Sequence, residues 1–138
     1  MITNTNTSFP AKGDSLGVHL IAEFYGVYGL DDANYVESEL IKAALACGAT
    51  VLRSFVHDFG SLFGVTGFVL LAESHISIHT WPEYEYAAID VFTCGERVKP
   101  QVAMDYLKNS FNAKECEIIK CMRGTINAPT RGLKCMGG

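Results

Sequence analysis

Residues 71–83, "LAESHISIHTWPE", hold two histidines, two serines, two glutamates and the chain's single tryptophan directly after an apolar run. On a helix, His75 and His79 would share a face at the i,i+4 spacing of zinc ligands. The alternation of Ile76 and Ile78 with His75, Ser77 and His79 instead predicts a strand. At about 3.3 Å per strand residue the two rings stand roughly 13 Å apart. One ion with ligands about 2 Å away does not reach both, so no metal is expected. A Ser–His–acid hydrolase lacks here the strand–turn–helix setting of a nucleophile elbow. The plain alternative is the wet face of a strand.

A second stretch changes that balance. In "YAAIDVFTC" (86–94), Tyr86, Ala88, Asp90, Phe92 and Cys94 fall on one face. A tight connection through Pro82 would pair the two strands and bring Cys94 near the start of 75–81. Ser74, a histidine and a thiol then lie within reach at one end of a sheet. A serine, a base and a soft proton donor make a chemical combination, not a packing one.

The elements that must position these residues alternate along the chain. Residues 16–27 read as a strand. Residues 31–48 read as an amphipathic helix, with Asp31 or Asp32 as its cap, a stripe of Val36, Leu40, Ala43, Ala44 and Cys47, and Gly48 past its end. Strands follow at 49–59, 65–74, 75–81 and 86–94, then a helix at 100–111 and a strand at 115–122. The run 65–74 is almost wholly apolar and is read as central. The order βαββββαβ, with short connections, predicts an α+β fold: a two-layer sandwich of one mostly antiparallel sheet with both helices packed on one face. Ser74 and His79 differ by five positions and would face opposite sides of a regular strand, so a bulge or kink is expected near 74–75.

A chain of 138 residues, 49% hydrophobic and 19% charged, suits a single domain spanning 1–138 with a packed core. Residues 1–15 and 127–138 read as loose tails. A net charge of −4 without a Lys/Arg cluster argues against nucleic acid or an anionic membrane as partner. Five cysteines, odd in number and never spaced C-x-x-C, point to reduced thiols and a cytoplasmic protein. The polar start lacks a signal peptide's pattern, and no apolar run is long enough for a membrane span. A mean hydropathy of +0.16 is high for a small monomer and suggests apolar surface buried against a second copy.

"ESHISIHTWPE" followed by "YAAIDVFTCG" closely resembles the signature of the short prokaryotic S-adenosylmethionine decarboxylases, which carry a self-made pyruvoyl group. The resemblance runs from about Gly17 to Gly124 and includes "GATVL" at 48–52 and "RG" at 123–124. It implies a proenzyme that cuts itself between Glu73 and Ser74 into a β chain, 1–73, and an α chain, 74–138. Ser74 attacks the Glu73 carbonyl; the ester eliminates to dehydroalanine and hydrolyses to the pyruvoyl cofactor. His79 matches the acceptor of the residue-74 Cα proton, and Cys94 matches the proton donor in turnover. The substrate amine would form a Schiff base with the pyruvoyl group, an electron sink like pyridoxal phosphate. The product would be decarboxylated S-adenosylmethionine, used in making spermidine. Phe59, Thr66, Trp81 and Glu83 match substrate-binding positions, the aromatic rings suiting an adenine and a sulfonium. In the family the pocket lies between two protomers, so a dimer is expected.

Two departures bear on substrate. The loop "GSLFG" after "HDF" is longer and more apolar than the family's usual "xPHG", and Glu85 stands where the family commonly has Gly. An added carboxylate beside the pocket would suit ornithine or arginine, so a pyruvoyl decarboxylase of a basic amino acid is the alternative reading. An uncleaved, non-catalytic binding subunit is the remote one.

Overall fold

The computed structural model describes residues 2–5, 15–60 and 62–125. Its elements are β1 (Ile2–Thr5), β2 (Ser15–Tyr25), α1 (Ala33–Ala46), β3 (Val51–Asp58), β4 (Val65–Leu71), β5 (Ser74–Trp81), β6 (Tyr86–Cys94), α2 (Pro100–Ser110) and β7 (Glu115–Thr125). A single 3₁₀ turn, Pro82–Tyr84, joins β5 to β6. The strands form one sheet in the order β1-β7-β2-β6-β5-β4-β3. Every pair is antiparallel except β1 on β7 at the edge. Both helices cover the same face, α1 over β3 and β4, α2 over β2 and β6.

Local chemistry explains the helices. Asp32 caps α1 by accepting from the Tyr35 N–H at 3.1 Å. Val36, Leu40, Ala43, Ala44 and Cys47 are all buried, and Gly48 takes φ +84° just past the end. The two helices are tied by Glu39, whose carboxylate accepts from Tyr106 Oη at 2.7 Å, Ser110 Oγ at 2.5 Å and Lys42 Nζ at 3.0 Å. That carboxylate pushes the Tyr106 hydroxyl up to about 12. α1 lies close on the sheet at Gly67, where a Cβ would stand 2.9 Å from both Leu40 Cδ1 and Ile78 Cγ2.

Several expectations change. β4 is not central; β6 is, and β4 sits one strand from the edge. Its apolar character has another cause: Val65, Gly67, Val69 and Leu71 face the helices, while Phe68 and Leu70 stand partly exposed on the uncovered face. Residues 2–5, read as part of a loose tail, form an edge strand beside β7. The strand read through 74 ends at Leu71, because Ala72 and Glu73 form a two-residue hairpin turn and Leu71 pairs with Ser74. The tail at 127–138 lies outside the described residues.

Leu40 is fully buried between α1 and the sheet. Leu40→Ala is expected to lower unfolding stability by about 2–5 kcal/mol, measured by urea denaturation. The variant should keep its secondary structure, as judged by circular dichroism.

Candidate active site

The uncovered face of the sheet carries the polar chemistry. Alternation puts Ile76, Ile78 and Thr80 of β5 against the helices and His75, Ser77, His79 and Trp81 on the other side. β6 likewise offers Tyr86, Asp90, Phe92 and Cys94, and β2 offers His19, Ile21, Glu23 and Tyr25. The ladders align these residues in rows: His75 opposite Phe92, Ser77 opposite Asp90, His79 opposite Ala88 and Trp81 opposite Tyr86.

At one end of this face stands the hairpin tip. Ser74 has φ +140°, a value that L side chains rarely adopt and that is costly to hold. The irregular backbone expected at 74–75 is therefore present. The Glu73 carbonyl accepts from the Cys94 N–H at 2.9 Å, and the Glu73 carboxylate accepts from the Thr50 N–H at 3.0 Å. Two backbone N–H groups, from Cys94 at the end of β6 and from Thr50 just before β3, thus clamp the residue before Ser74. The Cys94 thiol is exposed at this same end.

The irregularity turns Ser74 toward His75, not toward His79. Ser74 Oγ lies 3.4 Å from His75 Nδ1. His79 lies five residues along the strand, on the order of 16 Å away. There its Nδ1 meets Thr66 Oγ1 at 3.0 Å. Trp81 stacks on Tyr86 with ring centroids 5.3 Å apart, and Tyr86 on Tyr25 at 5.4 Å. A concavity of about 440 Å³ beside this ladder is lined by Phe59, Phe63, Trp81 and Glu83. The positions matched by sequence therefore fall in two groups. Glu73, Ser74 and Cys94 sit at the hairpin tip; Phe59, Thr66, His79, Trp81 and Glu83 sit at the far end of the same face.

Between the groups runs a hydrogen-bond network that the sequence reading did not assemble. Asp90 Oδ2 lies 2.8 Å from both His19 Nε2 and His75 Nε2, and Ser77 Oγ donates to Asp90 Oδ1. Arg123 Nη1 lies 3.0 Å from the other nitrogen of His19. The His75 ring stacks on Phe68 at 5.4 Å. Burial pushes the Asp90 carboxyl up, but the hydrogen bonds from Ser77, His19 and His75 outweigh it and hold the group below the ordinary carboxylate value. His19, His75 and Asp90 are also the one set of metal-ligating types among the described residues whose donor atoms converge, all within 4.8 Å. Both imidazoles meet one carboxylate oxygen at hydrogen-bond distance, which is the geometry of a charge-assisted network. Alternation already placed His75 and Asp90 on this face. His19 and Arg123 join it only through the pairing of β2 with β6 and β7, which a single sequence does not display.

Glu85 does not belong to this region. Its backbone is left-handed (φ +51°), which explains why Gly is common there among the resembling proteins. Its carboxylate accepts from Tyr28 Oη at 2.8 Å, with Lys114 3.2 Å from the same hydroxyl. The extra acid is turned away from the Trp81 concavity, contrary to the expectation that it lies beside the pocket.

A two-layer α+β sheet protein, with a strained serine at a hairpin tip and a histidine-bearing open face, is the class these features define. A sequence model of the family described as S-adenosylmethionine decarboxylase matches residues 18–124. The chain is 48% identical over 112 residues to the S-adenosylmethionine decarboxylase proenzyme of Thermotoga maritima, covering 80% of this chain and 85% of that one. It is 43% identical over 115 residues to that of Acidithiobacillus ferrooxidans, covering 82% and 86%. The crystal structure of the adenosylmethionine decarboxylase from Aquifex aeolicus superposes with a TM-score of 0.73 at 37% identity, covering 86% of this chain and 99% of that one. The chain belongs to the S-adenosylmethionine decarboxylase family.

The Thr50 hydrogen bond holds the Glu73 carboxyl below its ordinary value of 4.5. A depressed folded-state value means that the contact is intact above 4.5 and is lost as pH falls through the folded value. In a chain kept uncut by Ser74→Ala, the Thr50 amide resonance, followed by NMR, is expected to titrate with a midpoint below 4.5. A midpoint above it would show that the carboxylate is not held there.

Proposed function

We propose that this protein is a self-processing, pyruvoyl-dependent decarboxylase of S-adenosylmethionine. The observation that carries the reading is the state of the Glu73–Ser74 bond: a serine at φ +140°, with the preceding carbonyl gripped by the Cys94 N–H at 2.9 Å. Strain at Ser74 favours any step that releases the peptide, and an N–H aimed at the carbonyl oxygen stabilises the negative charge that forms when Oγ attacks. Cleavage there would leave chains 1–73 and 74–138, with residue 74 converted to the pyruvoyl group. That group, once formed, supplies the electron sink that takes up the pair released with CO₂. The chain's own residues do the rest. Cys94 Sγ, exposed at the tip, returns a proton to the substrate carbon. Trp81, Phe59 and Glu83 bind the adenine and sulfonium by ring faces and charge.

The separation of the two residue groups has a direct consequence for assembly. His79 of one chain does not reach Ser74 of the same chain, yet both lie on one uncovered face bearing Phe55, Phe68 and Leu70, all more than a third exposed. Two copies packed face to face about a two-fold axis bring the tip of each onto the far end of the other. Each site is then built from Glu73, Ser74 and Cys94 of one protomer and from Thr66, His79, Trp81, Phe59 and Glu83 of its partner copy. The apolar residues between become a dimer core. Glu85, hydrogen-bonded to Tyr28, offers a basic amino acid no counter-charge at the pocket, so S-adenosylmethionine is the favoured substrate over ornithine or arginine.

Intact-mass measurement of the purified protein should give two fragments that meet at residues 73 and 74. Ser74→Ala should give one uncut species and no CO₂ from carboxyl-labelled S-adenosylmethionine. A wild-type chain that stays whole, or that releases CO₂ only from ornithine or arginine, would sink the reading.

Ser74→Ala and His79→Ala should each be inactive alone. Mixed as dimers they should recover about a quarter of wild-type activity, since half the dimers are mixed and each of those holds one intact site. No recovery in dimers shown to exchange would place both residues in one protomer.

A further inference from the structure

His75 has no role in the steps above, yet it is the side chain in contact with the Ser74 hydroxyl. Its position is over-determined. The ring stacks on Phe68, lies edge-on to Phe92 at 5.9 Å and donates toward Asp90. A ring so fixed presents one nitrogen to Ser74 and the other to a carboxylate, the arrangement by which an acid orients an imidazole toward a hydroxyl nucleophile.

Proton positions follow from the donors. A guanidinium only donates, so His19 Nδ1, 3.0 Å from Arg123 Nη1, must accept. The single proton of the neutral His19 ring is then on Nε2 and goes to Asp90 Oδ2. An ionised carboxylate only accepts, so the second contact on that oxygen must also be an N–H, that of His75 Nε2 at 2.8 Å. In the neutral ring His75 Nδ1 is then left with its lone pair facing Ser74 Oγ at 3.4 Å. Hydrogen bonds at catalytic groups are often this long before the reacting geometry tightens.

We propose that His75 is the general base of the first processing step, with Asp90, His19 and Arg123 as the residues that fix its tautomer. This rests on the self-processing reading above and adds to it the group that activates Ser74. The Ser74 Oγ proton passes to His75 Nδ1 as Oγ bonds to the Glu73 carbonyl carbon. The charge on the Glu73 oxygen is held by the Cys94 N–H. The C–N bond to Ser74 then breaks, and the departing nitrogen takes the proton back from His75 Nδ1, leaving an ester and a free amine. Nothing is oxidised or reduced, and the imidazole ends as it began. His79 of the partner copy acts later, on the Cα proton. Two imidazoles thus serve two steps, and the first step needs only groups of one chain.

The test is a processing time course on the full-length chain made by cell-free synthesis, followed by intact mass with and without hydroxylamine, which cuts esters. Wild type should cleave by itself; if it does not, the self-processing reading fails, whatever His75 does. Given wild-type cleavage, His75→Ala should slow processing by about a hundredfold or more, a typical contribution of a general base. It should accumulate no hydroxylamine-sensitive ester, and added imidazole should restore part of the rate. His79→Ala should instead stall with the ester formed. Asp90→Ala removes the acceptor that holds the His75 proton on Nε2 and should slow processing likewise. In uncut Ser74→Ala protein, ¹⁵N shifts should put the His75 proton on Nε2. Wild-type processing by either variant, or an ester trapped in His75→Ala, would overturn the proposal. So would a His75 proton found on Nδ1 in the Ser74→Ala chain.

Discussion

A sheet with both of its helices on one side has a second side to account for, and most of this molecule follows from how that side is used. The covered face is a conventional core, in which Leu20, Phe24, Ile76, Ile78 and Val91 meet Leu40, Met104 and Leu107. The other face mixes partly exposed apolar residues with histidines, an aspartate, an arginine and a ladder of aromatic rings. Such a surface is too apolar for water alone and too polar for a plain packing interface. The proposed pairing with a copy of itself would bury Phe55, Phe68 and Leu70 while keeping the polar groups around two enclosed sites. Exclusion of water in that pairing would strengthen the Asp90 network and the grip on the Glu73 carbonyl.

Much of this was legible in the sequence, for physical reasons that differ from element to element. The stripe Val36, Leu40, Ala43, Cys47 and the cap Asp32 revealed α1 because helix periodicity and capping are local. The alternation around Ile76 and Ile78 separated a strand from a metal-binding helix. The parity mismatch between Ser74 and His79 signalled irregular backbone. Its purpose was not legible, because the turn at Ala72–Glu73 directs Ser74 to its own neighbour. The apolar run of β4 was misread as central for an instructive reason. An apolar run reports that both faces of a strand carry apolar side chains, not where the strand lies in the sheet, and Phe68 and Leu70 give that trace on the uncovered face. The network through His19 and Arg123 depends on strand order, which lies beyond local pattern.

The two departures from the family's usual residues have separate explanations. Glu85 takes a left-handed position that Gly tolerates freely, and its carboxylate is occupied by Tyr28. It is a local substitution with local compensation. The apolar loop after β3 leaves Leu62 and Phe63 largely exposed, beside Phe59 and the Trp81 concavity. Those side chains extend the aromatic end of the open face and do not disturb the hairpin tip where the bond is strained.

The position of that tip in the strand order has a mechanical meaning. A break between Glu73 and Ser74 assigns β1 to β4 to one fragment and β5 to β7 to the other, but the sheet does not divide that way. Strand β2 lies between β7 and β6, and β7 lies between β1 and β2. The two pieces are interlaced like the fingers of clasped hands, joined along four ladders rather than one seam. Severing the backbone therefore frees two chain ends at the reacting centre, while separation of the fragments would require dismantling the whole sheet. The proposed break would fall where Ser74 holds a positive φ and where the connectivity of the chain is redundant.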